Sequence, residues 1–449
     1  MKILIATDVF PPRCGGAGWS TYYLARALRA CGHEVSIVRP RFDATARQPR
    51  VHPVEYDGFR VAEAVLPLPQ NPPLRLIARN IRGPRLLRRL IAREATRLGA
   101  DLIHAQHALT TPAAVGAADD LARGRQARRV PVVSTVRDYW PLCYYNTMQV
   151  PRRIAVPGAG TPPSAFVPPR DVPVARSLAR ALWRAQGRRA VRSLPLLPLW
   201  QIATARRRRA LRRADAVIAV SGYVADRLRR GGAVAPDRLH VIPNLVDRPR
   251  LEALAAEPPP LAAFDLAPGA PFLLFVGKLE PSKGAQLLPR ALQAAGVGAS
   301  LPLVVAGSGP LQPWLAAAGP AHGLDIRFGA WLDNADVLRL MRAATLLLFP
   351  SDWAEPLSRV LLEGCAAGAA ILALDTGGTP DIIADGQNGR LVADMNAFAA
   401  ALRELLDDPT QRARLAAGAQ ATARECFSAD VVAAQVEALY EALLAGSAA

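Results

Sequence analysis

The sequence lacks cysteine pairing and long apolar runs and, through its first 270 residues, is short of acid relative to base. Its five cysteines, Cys14, Cys31, Cys143, Cys365 and Cys426, are scattered with no CxxC or His/Cys spacing. That argues against a disulfide framework or a zinc ribbon and fits reduced thiols in a cytosolic protein. No uncharged apolar run reaches the roughly 18 residues that span a bilayer. The longest candidate, "CAAGAAILAL", reads as a helix end followed by a buried strand. The opening "MKILIATDVFPPR" is apolar only from Ile3 to Ala6, too short for the core of a secretory signal.

The shortage of acid is one-sided. Residues 1–270 carry 43 Lys+Arg against 19 Asp+Glu, a balance of +24, while residues 271–449 carry 12 against 18, a balance of −6. A basic half of this size should meet something anionic: a membrane face, a phosphorylated molecule or nucleic acid. Two stretches concentrate the charge. Residues 75–97 hold eight Arg and one Glu, with Leu and Ile spaced to form one face of a helix. Residues 151–213 hold fifteen Arg and a single acid, Asp171, in a Pro-rich insertion. Long irregular insertions in compact α/β domains are usually functional or disordered.

What is present is a repeated strand–loop–helix pattern. "KILIAT", "EVSIV", "DLIHAQ", "VPVVSTV" and "ADAVIAV" read as buried strands, with helices such as "TYYLARALRACGH" between them. A second series follows a Pro/Ala seam near "LEALAAEPPPLAAFDLAPGAP": "PFLLFVG", "LPLVVAG", "LDIRFG", "TLLLFP" and "AAILAL". The expectation is an α/β chain of two Rossmann-like, doubly wound domains facing a central cleft. The N-terminal domain covers 1–250, with the insertion at 151–213. The C-terminal domain covers 265–427, and a last helix in 428–449 could pack back on the first domain. In such sheets ligands bind beyond the carboxyl ends of strands.

The loops there carry the candidates. "WAEPLSRVLLEG" holds Glu355 and Glu363. With Glu355 at the start of a helix, eight residues separate the two acids by ~12 Å and ~80° beyond two turns. They cannot share one proton, but they can hold two hydroxyl-bearing parts of one extended ligand; a helix with solvated acids fits equally. "GKLEPSKG" puts Lys278 and Lys283 before a helix starting near Gly284, a fit for a diphosphate. They are the only lysines in residues 271–449. Gly15 and Gly16 in "VFPPRCGGAGWS" allow close backbone approach, though without the GxGxxG of a dinucleotide loop. His104, Gln106 and His107 end one strand, and Arg137, Asp138, Tyr139 and Trp140 end the next. Gly307 and Gly309, and Gly377, Gly378 and Thr379, suit phosphate or base contacts, or turns.

Together "FVGKLEPSKG", "VVAGSGP", "PSDWAEPLSRVLLEGCAAG", "GGTPDIIADGQNGRLV" and "ADAVIAVSGYVADRLRRGG…RLHVIPNLVD" resemble, in order, the retaining glycosyltransferases of family four, which have the GT-B fold. The resemblance implies that Glu355 holds donor-sugar hydroxyls and Glu363 the nucleotide ribose. It implies that Lys278 and Lys283 neutralise the diphosphate, that Leu357, Ser358, Val360 and Leu361 offer amides at a helix start, and that Gly16, beside Gly15, approaches the donor phosphates. Gly307 joins this donor set. His104, Gln106 and His107 would stand with Glu355 at the reacting sugar, and Arg137, Asp138 and Tyr139 on the acceptor side. Gln106 and Arg137 occupy positions where the family often has histidine.

The implied activity is retaining, metal-independent transfer from a UDP- or GDP-linked sugar to a saccharide or lipid-linked saccharide in cell-surface glycan synthesis. No DxD is present, so no bridging metal is required, and the nucleotide sugar is a co-substrate with no further cofactor. Base recognition would use backbone near "RFGAWL", which leaves the base open. Trp183, Leu196, Leu197 and Trp200 among arginines fit a segment lying on an anionic membrane, so a cytoplasmic protein peripheral to the inner face is expected. The competing readings are a catalytically silent assembly partner and, on charge alone, a nucleic-acid-binding protein.

Overall fold

The computed structural model describes residues 1–12, 14–123, 129–143, 150–151, 166–167, 196–247, 251, 253, 257–329 and 332–448. The chain divides into two compact units. One comprises Met1–Val150, Val167–Asn244 and Val432–Ala449; the other comprises Pro151–Phe166 and Leu245–Val431.

The first unit is built on an eight-stranded sheet. Its strands are β1 (Lys2–Ala6), β2 (Glu34–Asp43), β3 (Arg50–Tyr56), β4 (Phe59–Pro67), β5 (Leu102–Ala105), β6 (Val132–Val136), β7 (Ala216–Ala219) and β8 (Leu239–Val241). The order is β8-β7-β6-β5-β1-β2-β4-β3, and only β3 and β4 pair antiparallel. β1, β5, β6 and β7 are buried almost throughout, as continuous apolar runs in a parallel sheet should be. The β3–β4 hairpin is absent from the sequence reading, although Asp57-Gly58 marks it. Both residues have positive φ, 50° and 70°, as the two-residue turn that suits strand twist requires.

Helices α1 (Gly16–Ala30), α2 (Gly83–Leu98), α3 (Thr110–Arg123), α4 (Leu197–Leu211) and α5 (Gly222–Arg230) belong to this unit. The arginine-rich 75–97 stretch enters α2 at Gly83, and the Leu87, Leu90, Ile91, Ala95 and Leu98 of that helix are buried. Gly99, left-handed at φ 65°, closes its carboxyl end. In α4 the expectation of a membrane-facing Leu197 and Trp200 is corrected. Both are buried, on the stripe with Ala203, Ala210 and Leu211, and α4 packs on α3. The three-to-four-residue spacing that reads as amphipathic is the spacing of a core-facing helix. Trp183, and the rest of 168–195, lie outside the described residues.

The second unit carries a six-stranded, all-parallel sheet. Its strands are β9 (Leu273–Val276), β10 (Leu303–Ala306), β11 (Ile326–Phe328), β12 (Leu346–Phe349), β13 (Ile371–Leu374) and β14 (Arg390–Val392), in the order β11-β10-β9-β12-β13-β14. The helices that concern the site are α6 (Leu288–Ala294) and α7 (Arg359–Ala367). The last helix, α8 (Ala429–Ala448), has its residues from 432 grouped with the first unit, where Tyr440 is fully buried.

Candidate active site

In the second unit the strand order reverses between β9 and β12, so the chain leaves these neighbours in opposite directions and opens a crevice at their carboxyl ends. The two outgoing loops carry Lys278 with Lys283, and Trp353 with Glu355. Short bonds lace them together. Ser351 Oγ donates to Ser282 O at 3.0 Å, and Thr376 Oγ1, after β13, donates to Ser351 O at 2.9 Å. Gly378 N donates to Glu355 O at 2.6 Å. Gly284 has φ +74°, and a Cβ there would lie 1.8 Å from Pro350 O, so only glycine lets the Lys283 loop rest on the end of β12.

Glu355 is 6 % exposed, and its Oε1 pairs with Lys283 Nζ, which also lies 5.1 Å from the centre of the Trp353 ring. A carboxylate acceptor, an ammonium and an aromatic face thus meet at one point. Lys278 is exposed and makes no ion pair among the described residues. Glu363 is buried on α7, where its Oε1 accepts from Arg359 Nε at 3.1 Å and Nη2 at 2.8 Å.

Three expectations change here. Glu355 is not at the start of a helix. Pro356 disfavours helical backbone just before it, Ser358 caps α7, and the helix begins at Arg359. The Leu361 amide is spent on that cap, donating to Ser358 Oγ at 3.4 Å, which leaves Val360 N as a first-turn amide. The helix after Lys283 begins at Leu288, behind two three-residue 3-10 turns. Gly307 has a structural reason to be glycine: a Cβ there would sit 1.9 Å from Gly277 O. Leu357 and Ser358 are buried beside Glu355 in sequence. Ala330 and Trp331 of the base-side stretch lie outside the described residues.

In the first unit the reversal falls at β1, between β5 and β2. Gly15 caps α1 through its backbone and Gly16 opens the helix, both exposed. The preceding loop is held by Arg39, whose Nη1 donates to Phe10 O and Pro11 O, both at 2.9 Å. Arg39 is fixed in turn by buried Glu63 (Nε to Oε2, 2.9 Å), which also binds Arg41. Burial alone would raise the Glu63 carboxyl, but the Arg41 and Arg39 bonds and charges outweigh it and hold it below its ordinary value.

His104 lies inside the sheet, with Nδ1 2.5 Å from the Tyr440 hydroxyl and Nε2 2.7 Å from Thr135 Oγ1. Burial, then the Arg137 charge, lowers it to about 3. Both ring nitrogens are engaged, which is the position of a satisfied core histidine. Gln106 and His107 differ. Gln106 Oε1 accepts from Arg137 Nη1, whose Nε donates to Asn244 Oδ1 at 2.9 Å. Gln106 Nε2 and His107 Nε2 are buried with no hydrogen-bond partner. Such atoms are costly unless something else bonds them. Asp138 accepts from Trp140 N at 2.8 Å and is raised to about 7, chiefly by burial and also by Asp8. Tyr139 is a core side chain, edge-on to Tyr223 with ring centres 6.4 Å apart. Asn244, Asp8 and Thr7 are absent from the sequence reading, because each acts on residues about one hundred positions away.

A family model described as Glycosyltransferase Family 4 matches residues 14–250, and one described as Glycosyl transferases group 1 matches residues 261–422. An alpha-maltose-1-phosphate synthase of Mycolicibacterium smegmatis is 32% identical over 262 residues, 54% of this chain and 66% of that protein. A glycogen synthase of Mycobacterium tuberculosis is 31% identical over 244 residues, 53% of this chain and 56% of that one. The matches thus span between just over half and about two thirds of these curated relatives. Among solved structures, sucrose-phosphate synthase from Thermosynechococcus elongatus superposes with TM-score 0.66 at 19% identity, covering 99% of this chain and 100% of that one. Anabaena HepE, solved in complex with UDP, superposes with TM-score 0.62 at 19% identity, covering 98% and 100%. These last two likenesses concern the fold.

Proposed function

The chain belongs to glycosyltransferase family 4, with the GT-B fold, and from that premise we propose that it moves a sugar from a UDP- or GDP-linked donor to a saccharide or lipid-linked saccharide, with retention of configuration, in cell-surface glycan synthesis. The observation that carries the reading is the Lys283–Glu355 pair against Trp353, at the switch point between β9 and β12. A sugar diphosphate needs cations for its phosphates and acceptors for its hydroxyls, and both are here. Lys278 and Lys283 neutralise the diphosphate. Glu355 takes hydroxyls of the transferred sugar, and Glu363 takes the ribose.

As the leaving group departs, negative charge grows on the phosphate oxygen. The two ammonium groups and the Val360 amide stabilise it where it forms, which is the most effective place for a fixed charge. The departing phosphate takes the proton of the acceptor hydroxyl as the new bond forms on the face it leaves. No bridging metal and no further cofactor is required by this scheme. The unpartnered Gln106 Nε2 and His107 Nε2 of the first unit offer one donor and one acceptor to substrate hydroxyls.

We place the protein on the cytoplasmic face of a membrane as a peripheral enzyme. Among the described residues no helix is long and apolar enough to cross one. Support for a membrane face comes from Leu74 and Ile202, which are 51% and 47% exposed among arginines.

Thermal melting of the wild type and of Lys283→Gln with UDP, GDP and their common sugar conjugates tests the donor site. A ligand that binds only the folded state raises the melting temperature by mass action. One nucleotide series should stabilise the wild type and act much less on the variant. A wild type that responds to none of them would sink the reading.

A further inference from the structure

The first unit holds a cavity that the donor chemistry does not use. It has a volume of about 230 Å³ and lies between α2, α3 and α4. Four arginines line it, Arg85 and Arg88 from α2 and Arg206 and Arg207 from α4, and no carboxylate does. Ile81, Leu109 and Pro112 supply an apolar side. Ala108 and Leu109 put it just past the carboxyl end of β5, next to Gln106 and His107 in the chain.

The arginines are not equivalent. Arg88 is committed to Asp120, with Nε to Oδ2 at 2.6 Å. Arg207 is 8% exposed; its Nη2 donates at 2.8 Å to Asn80 Oδ1, and its charge also acts on the buried carboxyls of Asp8 and Asp138, which do not line the cavity. Asn80 is fixed by a bond from its Nδ2 to Leu76 O at 2.9 Å, and it sits in a π-helical turn, Ala78–Arg82, that leads into α2. Such turns are rare and recur at functional sites. Arg85 and Arg206 are exposed and make no ion pair among the described residues. Converging guanidinium groups with no lining acid suit a phosphate, which takes paired N–H donors. The volume falls below the roughly 300–1,000 Å³ of sites for drug-sized ligands, so it fits one headgroup-sized piece.

We propose that this cavity binds a phosphate group of the acceptor, held by Arg85, Arg206 and Arg207, with the adjoining carbon chain or ring against Ile81, Leu109 and Pro112. The inference rests on the transferase reading and narrows its acceptor to a phosphate-bearing molecule, either a phosphorylated saccharide or a lipid phosphate. The buried Arg207 sets the position, and the two exposed arginines close on the ligand.

Two double variants test it in the full chain. R85Q/R206Q removes the two open cavity arginines. R89Q/R209Q removes the same charge from exposed positions on the same two helices that do not line the cavity. One arm titrates inorganic phosphate and glucose 6-phosphate against glucose; the other sediments the protein with phosphatidylglycerol vesicles against phosphatidylcholine vesicles. The wild type should bind a phosphate-bearing probe in at least one arm at physiological ionic strength. R85Q/R206Q should lose about tenfold or more of that affinity, with R89Q/R209Q within about twofold of wild type. Binding in the first arm identifies a sugar phosphate, and binding in the second a lipid phosphate. Equal losses in both variants, or no binding by the wild type in either arm, overturns the proposal. Nucleotide melting shifts on the same preparations separate the two readings. Donor response without phosphate binding sinks only the cavity, and phosphate binding without donor response sinks only the donor site.

Discussion

His107 Nδ1 lies 3.3 Å from Thr7 Oγ1, and the Thr7 hydroxyl proton is already given to Val9 O at 2.7 Å. Thr7 can therefore only accept from the ring, which assigns the proton of the neutral imidazole to Nδ1 and leaves Nε2 as a bare acceptor. Burial, then the charge of Arg137, lowers this ring to about 3. The expectation is a His107 signal in ¹⁵N spectra with the Nδ1–H pattern and no titration between about pH 5 and 8. Titration near the ordinary value of about 6.5 would mean the ring is solvated.

Lys283 and Glu355 separate stability from catalysis. Glu355→Gln keeps an oxygen for Lys283 and for a sugar hydroxyl but loses the charge. Turnover should drop by about 100-fold or more with little change in melting temperature. Lys283→Met leaves a buried carboxylate without its cation and should cost about 2 kcal/mol of stability as well as donor binding. Kinetics and denaturant melts on both variants check this. Full turnover in Glu355→Gln would remove its assigned role.

Ten strands, β1, β2, β5 to β7 and β9 to β13, were legible because buried parallel strands are short apolar runs between turn signals, whereas β3, β4, β8 and β14 were not. What was less legible depends on partners far away in the chain. Leu197 and Trp200 carry the same spacing whether a helix faces a membrane or a core, and only the presence of α3 decides between them. Glu355 and Glu363 share one motif, but the ~12 Å separation expected for a continuous helix does not apply, because Glu355 lies outside α7. Pro356 and Ser358 delay the helix to Arg359, which is visible in the sequence only if their local preferences are weighed above the apolar spacing. Asn244 and Thr7 carry no local signal at all. Asp57-Gly58 did, and it marks the hairpin that the apolar pattern hid.

Gly284 and Gly269 measure how much the close contact under Lys283 matters. Both are left-handed, at φ +74° and +78°, but a Cβ at Gly284 meets Pro350 O at 1.8 Å while one at Gly269 meets nothing within 4 Å. Gly269→Ala should cost about 1 kcal/mol of backbone strain. Gly284→Ala should cost about 2–3 kcal/mol and also weaken donor binding, because the Lys283 loop must lift off β12. Chemical denaturation and nucleotide melting shifts check both. Equal costs at the two sites would show that the loop moves freely.

Asp138 makes stability fall with rising pH. Its ordinary value is 3.8, and in the fold it is raised to about 7, first by burial and further by the Asp8 charge. Between these values the folded state holds a proton that the unfolded state has lost. The contribution is therefore present below 3.8, declines as pH rises, and is fully lost above about 7. Asp138→Asn keeps an acceptor for Trp140 N and has no proton to lose. The variant should melt above the wild type at about pH 8, with the gap closing toward about pH 4. Asp8→Asn removes the neighbouring charge and should move the inflection in the wild-type curve to lower pH, because one of the two forces holding Asp138 protonated is gone. A gap between Asp138→Asn and wild type that is the same at both pH values would mean that Asp138 is ionised throughout, with its charge met by Arg207 and Arg137 more fully than burial opposes it.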